Sequence, residues 1–135
     1  MTTAEMTETL PEVVMPSCPI RKVLKGQKAL VTGANSGIGK GVALALAPAG
    51  ADVAVNYVSN EMAAEEVVQE ARRCESRVYA HRADVAKEDQ VQAMFRRMFD
   101  EFGTIDILVN NAGLQKDAPF EQVMLILCGA SVLMR

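Results

Sequence analysis

The chain has few of the residues on which metal and nucleophile chemistry is commonly built: one histidine and three cysteines among 135 residues. Cys18, Cys74 and Cys128 are far apart and odd in number, so they form neither a zinc-type spacing nor a disulfide framework. That usage fits a reducing compartment. His81 falls within an expected strand with no serine or cysteine constellation around it, which favours a structural role over a catalytic one. Charge of one sign is not in excess either. The 14 Lys and Arg are interspersed with 17 Asp and Glu, which argues against a broad basic surface for nucleic acid. Long apolar runs are also missing. Val123 to Met134 is interrupted by Gly129 and Ser131, and a membrane span needs roughly 20 residues. Met1 to Leu10 is acidic and threonine-rich where a secretory leader would be basic and then apolar. The expectation is a cytoplasmic protein with no metal, membrane or nucleic-acid partner.

What is present suits a globular core: half the residues are apolar and 23% are charged, in a length typical of one domain. Residues 1–25 carry Pro11, Pro16 and Pro19 with no sustained period, and read as a mobile extension. Gly26 and Gln27 open a strand that runs through Lys28-Ala29-Leu30-Val31. The stretch Thr32-Gly33-Ala34-Asn35-Ser36-Gly37-Ile38-Gly39 then forms the turn into a helix, with Ile38, Val42, Ala45 and Leu46 on its apolar face and an end near Pro48 to Gly50. A second strand is expected over Asp52 to Asn56. The next helix is capped by Ser59 or Asn60, has Glu61 in its first turn, and draws apolar positions from Met62, Val67, Val68 and Ala71. A third strand over Arg77 to Arg82 leads to Asp84-Val85. In the helix after it Val91, Met94, Phe95, Met98 and Phe102 recur at helical spacing up to Gly103. A fourth strand, Ile105 to Val109, runs into Asn110-Asn111-Ala112-Gly113.

Strands alternating with helices argue for an α/β fold, a Rossmann-like doubly wound parallel sheet, here ending after about four strands. Ligands of such sheets lie beyond the C-terminal strand ends, where the strand order reverses. Each motif singled out falls at one of those ends. Glycines at 33, 37 and 39 let the backbone turn tightly and bring its N–H groups close to a bound group, and the following helix N-terminus favours a phosphate.

Thr-Gly-x-x-x-Gly-Ile-Gly, with three residues between the first two glycines and one between the last two, resembles the cofactor loop of the short-chain dehydrogenase/reductase family. Asn110-Asn111-Ala112-Gly113 resembles that family's Asn-Asn-Ala-Gly motif, and Leu114 to Phe120 continues like its glucose 1-dehydrogenase and 3-oxoacyl-carrier-protein reductase members. The resemblance spans about Gly26 to Phe120 and implies NAD(P) binding by Gly33, Asn35, Ser36, Gly37, Ile38 and Gly39. It places Asp84 and Val85 against the adenine, with a helix cap as the other role open to Asp84. Asn111, Ala112 and Gly113 would lie beside the nicotinamide ribose. Asn56 and Tyr57 stand in the slot where a carboxylate about 20 residues after the glycine loop would bind the ribose 2′-hydroxyl. With no carboxylate there, and no Arg or Lys immediately there, the balance leans to NADP or dual use.

The family's proton donor is a tyrosine with a lysine four residues on. Tyr57 is followed at that distance by Glu61 and Tyr79 by Ala83, so neither tyrosine matches, and no catalytic residue is assigned. Residues 121–135 leave the family pattern as an apolar tail, consistent with a truncated or frame-shifted reading frame or with a docking helix. Three readings stay open: the cofactor-binding part of an oxidoreductase, inactive alone; a non-catalytic nucleotide-binding or interaction module; and a decayed fragment. An open sheet edge and the apolar tail would favour self-association and marginal stability.

Overall fold

The structure, a computed structural model, describes residues 22–113. The expectations for residues 1–21, for Leu114 to Phe120 and for the tail at 121–135 lie outside the described residues. Seven elements alternate: β1 (Lys28–Val31), α1 (Gly37–Leu46), β2 (Asp52–Tyr57), α2 (Glu61–Arg72), β3 (Val78–Arg82), α3 (Glu88–Phe102) and β4 (Ile107–Val109). All four strands are parallel, in the order β3-β2-β1-β4. β1 therefore pairs with β2 on one side and β4 on the other, and the strand order reverses there. The truncated Rossmann-like reading is correct.

Period-2 alternation along the strands, of which β1 and β2 are the most buried, splits the core into two layers. Ala29, Val31, Val53, Val55 and Val78 face α1 and α2, packing against Ala43, Ala47, Val67, Val68 and Ala71. Leu30 and Ala54 point to the other face and meet Met94, Met98 and Phe102 of α3. Leu30 and Met98 are wholly buried, each contributing about 1.5–3 kcal/mol of transfer free energy. α3 keeps the expected stripe and stops at Gly103, whose φ of 81° and N–H to Phe99 O bond of 2.8 Å close its last turn. α2 is capped by Asn60, whose side chain accepts from the Ala63 N–H at 3.2 Å. Before β1, the Leu24 N–H donates to Ala49 O at 2.9 Å, which docks that turn on the loop after α1.

Three local expectations are corrected. Of the expected face of α1, Val42 and Leu46 pack half-buried against the core, but Ile38 is 80% exposed and Ala45 is exposed; the fully buried positions are Gly39, Ala43 and the C-cap Ala47. Small side chains at a spacing of four let α1 lie close on the sheet, so size as well as hydropathy selects the face. Met62 is likewise exposed, because it sits on the outer side of the first turn of α2. β4 begins at Ile107 rather than Ile105, and Ile105 instead packs with the cluster around Phe102.

Candidate functional site

The loop between β1 and α1 is built by close approaches that only glycine permits. Gly33 has φ of 61°, and a Cβ there would lie 2.9 Å from Ala112 Cα. A Cβ on Gly39 would lie 2.5 Å from Gly33 O and would also collide with the Asn111 side-chain amide. Gly37 differs. Its φ is 54°, yet a Cβ there would meet nothing within 4 Å, so the space beside the first turn of α1 is open.

That turn also lacks a protein anion. Ser36, the N-cap, is extended (φ −157°, ψ 170°), makes no side-chain cap bond, and no acidic residue occupies the first turn. The other two described helices are served: α2 by Asn60 and Glu61, α3 by Glu88 and Asp89. At α1 alone the unpaired N–H groups and the positive end of the dipole face an open cradle, an arrangement complementary to a phosphate. The cradle therefore fits a dinucleotide pyrophosphate.

Two residues to which the motif reading gave no role of their own, Thr32 and Asn56, hold this loop. Thr32 Oγ1 accepts from the N–H groups of Asn111 and Ala112, each at 3.0 Å, and donates to Val109 O at 3.3 Å. The Asn111 amide returns the tie, donating to the carbonyls of Thr32 and Gly33 at 3.1 Å each. Asn56 is wholly buried. Its Oδ1 accepts from the Gly33 N–H at 3.2 Å and its Nδ2 donates to Ala83 O at 2.9 Å, so one side chain joins the ends of β1, β2 and β3. In the sequence Thr32 opens the glycine motif and Asn56 closes an apolar strand, but neither position signals its long-range partners.

Gly33, Gly39, Asn111 and Ala112 are thus in direct contact. Asn35 stands beside them, its amide donating to Ser59 O at 2.9 Å and so tying the glycine loop to the loop after β2. Ser36, Ile38 and Gly113 are exposed at the rim. Tyr57, at the end of β2, is 6% exposed. Asp84 is not the N-cap of α3, which is Lys87. Asp84 closes a turn ahead of that helix, Oδ1 accepting from the Ala86 N–H at 3.0 Å, with Val85 beside it partly exposed.

Burial pushes the Tyr79 phenol up to about 12, only partly opposed by the Arg97 guanidinium, and its hydroxyl lies against Met98 Sδ. A catalytic tyrosine needs the opposite shift. His81 is held below its ordinary value by burial and then by Arg97, whose Nη1 lies 3.1 Å from His81 Nδ1. No group of three metal-ligating side chains occurs among the described residues, and no described helix is long and apolar enough to cross a membrane. A shallow groove on α2 is lined by Met62, Glu65, Glu66, Gln69, Glu70 and Arg73, where the carboxylates outnumber the one cation and disfavour a phosphate.

A family model described as short chain dehydrogenase matches residues 27–125. A hydroxynaphthalene reductase-like protein of Metarhizium robertsii is 48% identical over 100 residues, covering 74% of this chain and 38% of that protein. A 3-oxoacyl-[acyl-carrier-protein] reductase of Staphylococcus epidermidis is 47% identical over 91 residues, covering 67% of this chain and 37% of that protein. Among solved structures, a short chain dehydrogenase from Burkholderia cenocepacia in complex with NADP superposes with a TM-score of 0.70 at 40% identity, covering 73% of this chain and 40% of that one. A hydroxysteroid dehydrogenase from Escherichia coli gives a TM-score of 0.73 at 37% identity, covering 82% of this chain and 46% of that one. The chain spans less than half the length of these relatives.

Proposed function

This chain belongs to the short-chain dehydrogenase/reductase family, and on that premise we propose that residues 26–120 are the NAD(P)-binding part of an oxidoreductase acting on CH–OH and carbonyl groups. The observation that carries the proposal is the open cradle at Gly37, bounded by a helix N-terminus with no side-chain cap and held by Thr32, Asn56 and Asn111. The pyrophosphate is assigned to the N–H groups from Asn35 to Gly39. Asp84 and Val85 take the adenine, Asn111, Ala112 and Gly113 the nicotinamide ribose, and Tyr57 the end of the 2′-ribose slot. The dinucleotide, when bound, supplies or accepts a hydride.

These residues bind and orient; they do not move the substrate proton. Neither Tyr57 nor Tyr79 has a lysine four positions on, so these 135 residues are expected to hold cofactor without turning over alone. The named relatives support a ketone or its alcohol as the substrate class, with an aromatic or acyl-thioester ketone ahead of a sugar. NADP is favoured over NAD, as the nucleotide in the Burkholderia complex supports, and the cytoplasm is the assigned compartment. A second reading, a nucleotide-binding interaction module, is favoured by one observation. β4 is an edge strand among the described residues, with Leu108 and Phe99 about half exposed on the α3 face. Concentration-dependent light scattering tests association through that edge.

The test of cofactor binding is thermal unfolding of the full chain with increasing NADP or NAD. A ligand that binds only the folded state adds about 2.7 kcal/mol at 100 times its Kd. A saturable rise in Tm that Gly37→Asp abolishes supports the proposal, and a midpoint that neither nucleotide moves refutes it.

A further inference from the structure

The sequence places no cation next to Tyr57, but the sheet does. Arg82 ends β3 as the register partner of Tyr57, the last residue of β2, so both side chains leave the same face at the same level. Its Nε donates to Val58 O at 3.0 Å, the first carbonyl beyond β2. The same loop is gripped from the opposite side by Asn35, through Ser59 O. Val58, Ser59 and Asn60 are therefore held between the glycine loop and the Arg82 guanidinium.

The terminal nitrogens of Arg82 have no partner among the described residues, and no described carboxylate lies within ion-pair distance of it. Arg77 and Arg97 are instead engaged with Phe102 and Tyr79 on the α3 face. An exposed guanidinium, fixed at one nitrogen and open at two, is suited to bidentate recognition of a phosphate. In a doubly wound fold the 2′-ribose position lies at the end of β2, where a nearby arginine accommodates a 2′-phosphate.

We propose that Arg82, reaching across from β3, is the residue that makes this site prefer a 2′-phosphorylated dinucleotide. The assignment rests on the dinucleotide-binding reading of the same site. A carboxylate-free β2 end removes repulsion, and Arg82 adds the attraction that selects NADP over NAD.

Isothermal titration of the full chain with NADP and with NAD tests this, using wild type, Arg82→Gln and Arg82→Lys. Wild type is expected to bind NADP more tightly. Arg82→Gln should weaken NADP by about tenfold or more and leave NAD within about twofold, while Arg82→Lys keeps part of the preference as a point charge. An unchanged NADP-to-NAD ratio in Arg82→Gln overturns the assignment and leaves the cofactor site standing. Equal weakening of both nucleotides overturns it as well, since it would make Arg82 an anchor for the Val58 carbonyl only. Wild type that binds neither nucleotide overturns the dinucleotide reading and this assignment together.

Discussion

Replacing Thr32 with valine removes one hydroxyl and almost no volume, yet that hydroxyl joins the ends of β1 and β4. Thr32 is 5% exposed. Its Oγ1 accepts two backbone N–H bonds, from Asn111 and Ala112 at 3.0 Å, while its own donation to Val109 O is longer, at 3.3 Å. The long bond contributes little, and the Asn111 N–H keeps a second acceptor in Val109 O at 3.1 Å, so the cost falls on the Ala112 N–H. A buried unsatisfied donor costs about 1–3 kcal/mol. Ala112 is only half-buried, which selects the low end, about 1 kcal/mol. For a domain of this size that is a fall in Tm of about 4–8 °C. Urea unfolding monitored by circular dichroism measures the loss, and hydrogen exchange locates it: the Ala112 amide should lose protection selectively. Thr32→Ser, which keeps the oxygen, should retain most of the stability. A Thr32→Val chain within about 0.5 kcal/mol of wild type, or with the Ala112 amide still protected, would refute the idea that this hydroxyl ties the strand ends.

Gly39→Ala should destabilise by about 1–3 kcal/mol and weaken nucleotide binding as well, because its Cβ meets Gly33 O and the Asn111 amide; unchanged Tm and Kd would refute the close approach. Asn56→Asp places a buried carboxylate where Nδ2 faced the Ala83 and His81 carbonyls, and should cost about 3 kcal/mol or more at pH 7. A raised folded pKa should make that loss shrink as pH falls towards 4, which urea unfolding at the two pH values measures. The single histidine gives one imidazole titration by NMR, and His81 should titrate below the ordinary 6.5, chiefly through burial and then through Arg97. The folded chain holds this proton less tightly than the unfolded chain. The His81 contribution to stability is therefore complete above about pH 6.5 and lost as pH falls through the lower folded value. Arg97→Gln should move the titration part of the way back, and a wild-type value at or above 6.5 would refute the shift.

The order of elements was legible because β-branched runs, the 3.6-residue stripe of α3 and the glycine stops each act over a few residues. Asn60 could be read as a cap on the same grounds, since its partner is three residues away. The face of α1 was legible from hydropathy only in part, through Val42 and Leu46. Ile38 is its most apolar residue and is 80% exposed, with nothing among the described residues covering it, while Gly39 and Ala43 are buried for their small size. The ties at the site were hidden for a different reason. Thr32 and Asn111 are 79 residues apart, Asn56 and Ala83 are 27 apart, and each meeting depends on the strand register. Arg82 is the same case: 24 residues from Val58, it becomes a neighbour of Tyr57 only when β3 pairs with β2.

These long-range ties also explain how a loop with three glycines can present fixed donors. Glycine loses more conformational entropy on ordering than any other residue, so a loop held only by its own backbone would have to be ordered by the ligand. Here Gly33 is held at its N–H by Asn56 and at its carbonyl by Asn111, the Ala34 N–H donates to Asn56 O at 2.8 Å, and Asn35 is tied to Ser59. The ordering cost is therefore met in folding rather than in binding, which leaves more of the contact free energy for affinity. Gly37, the glycine beside the open space, is the one whose surroundings must stay empty of protein, and among the described residues they do. A loosened tie should thus weaken nucleotide binding without touching any group that contacts the nucleotide, which makes Asn56 and Thr32 positioning residues of the cradle.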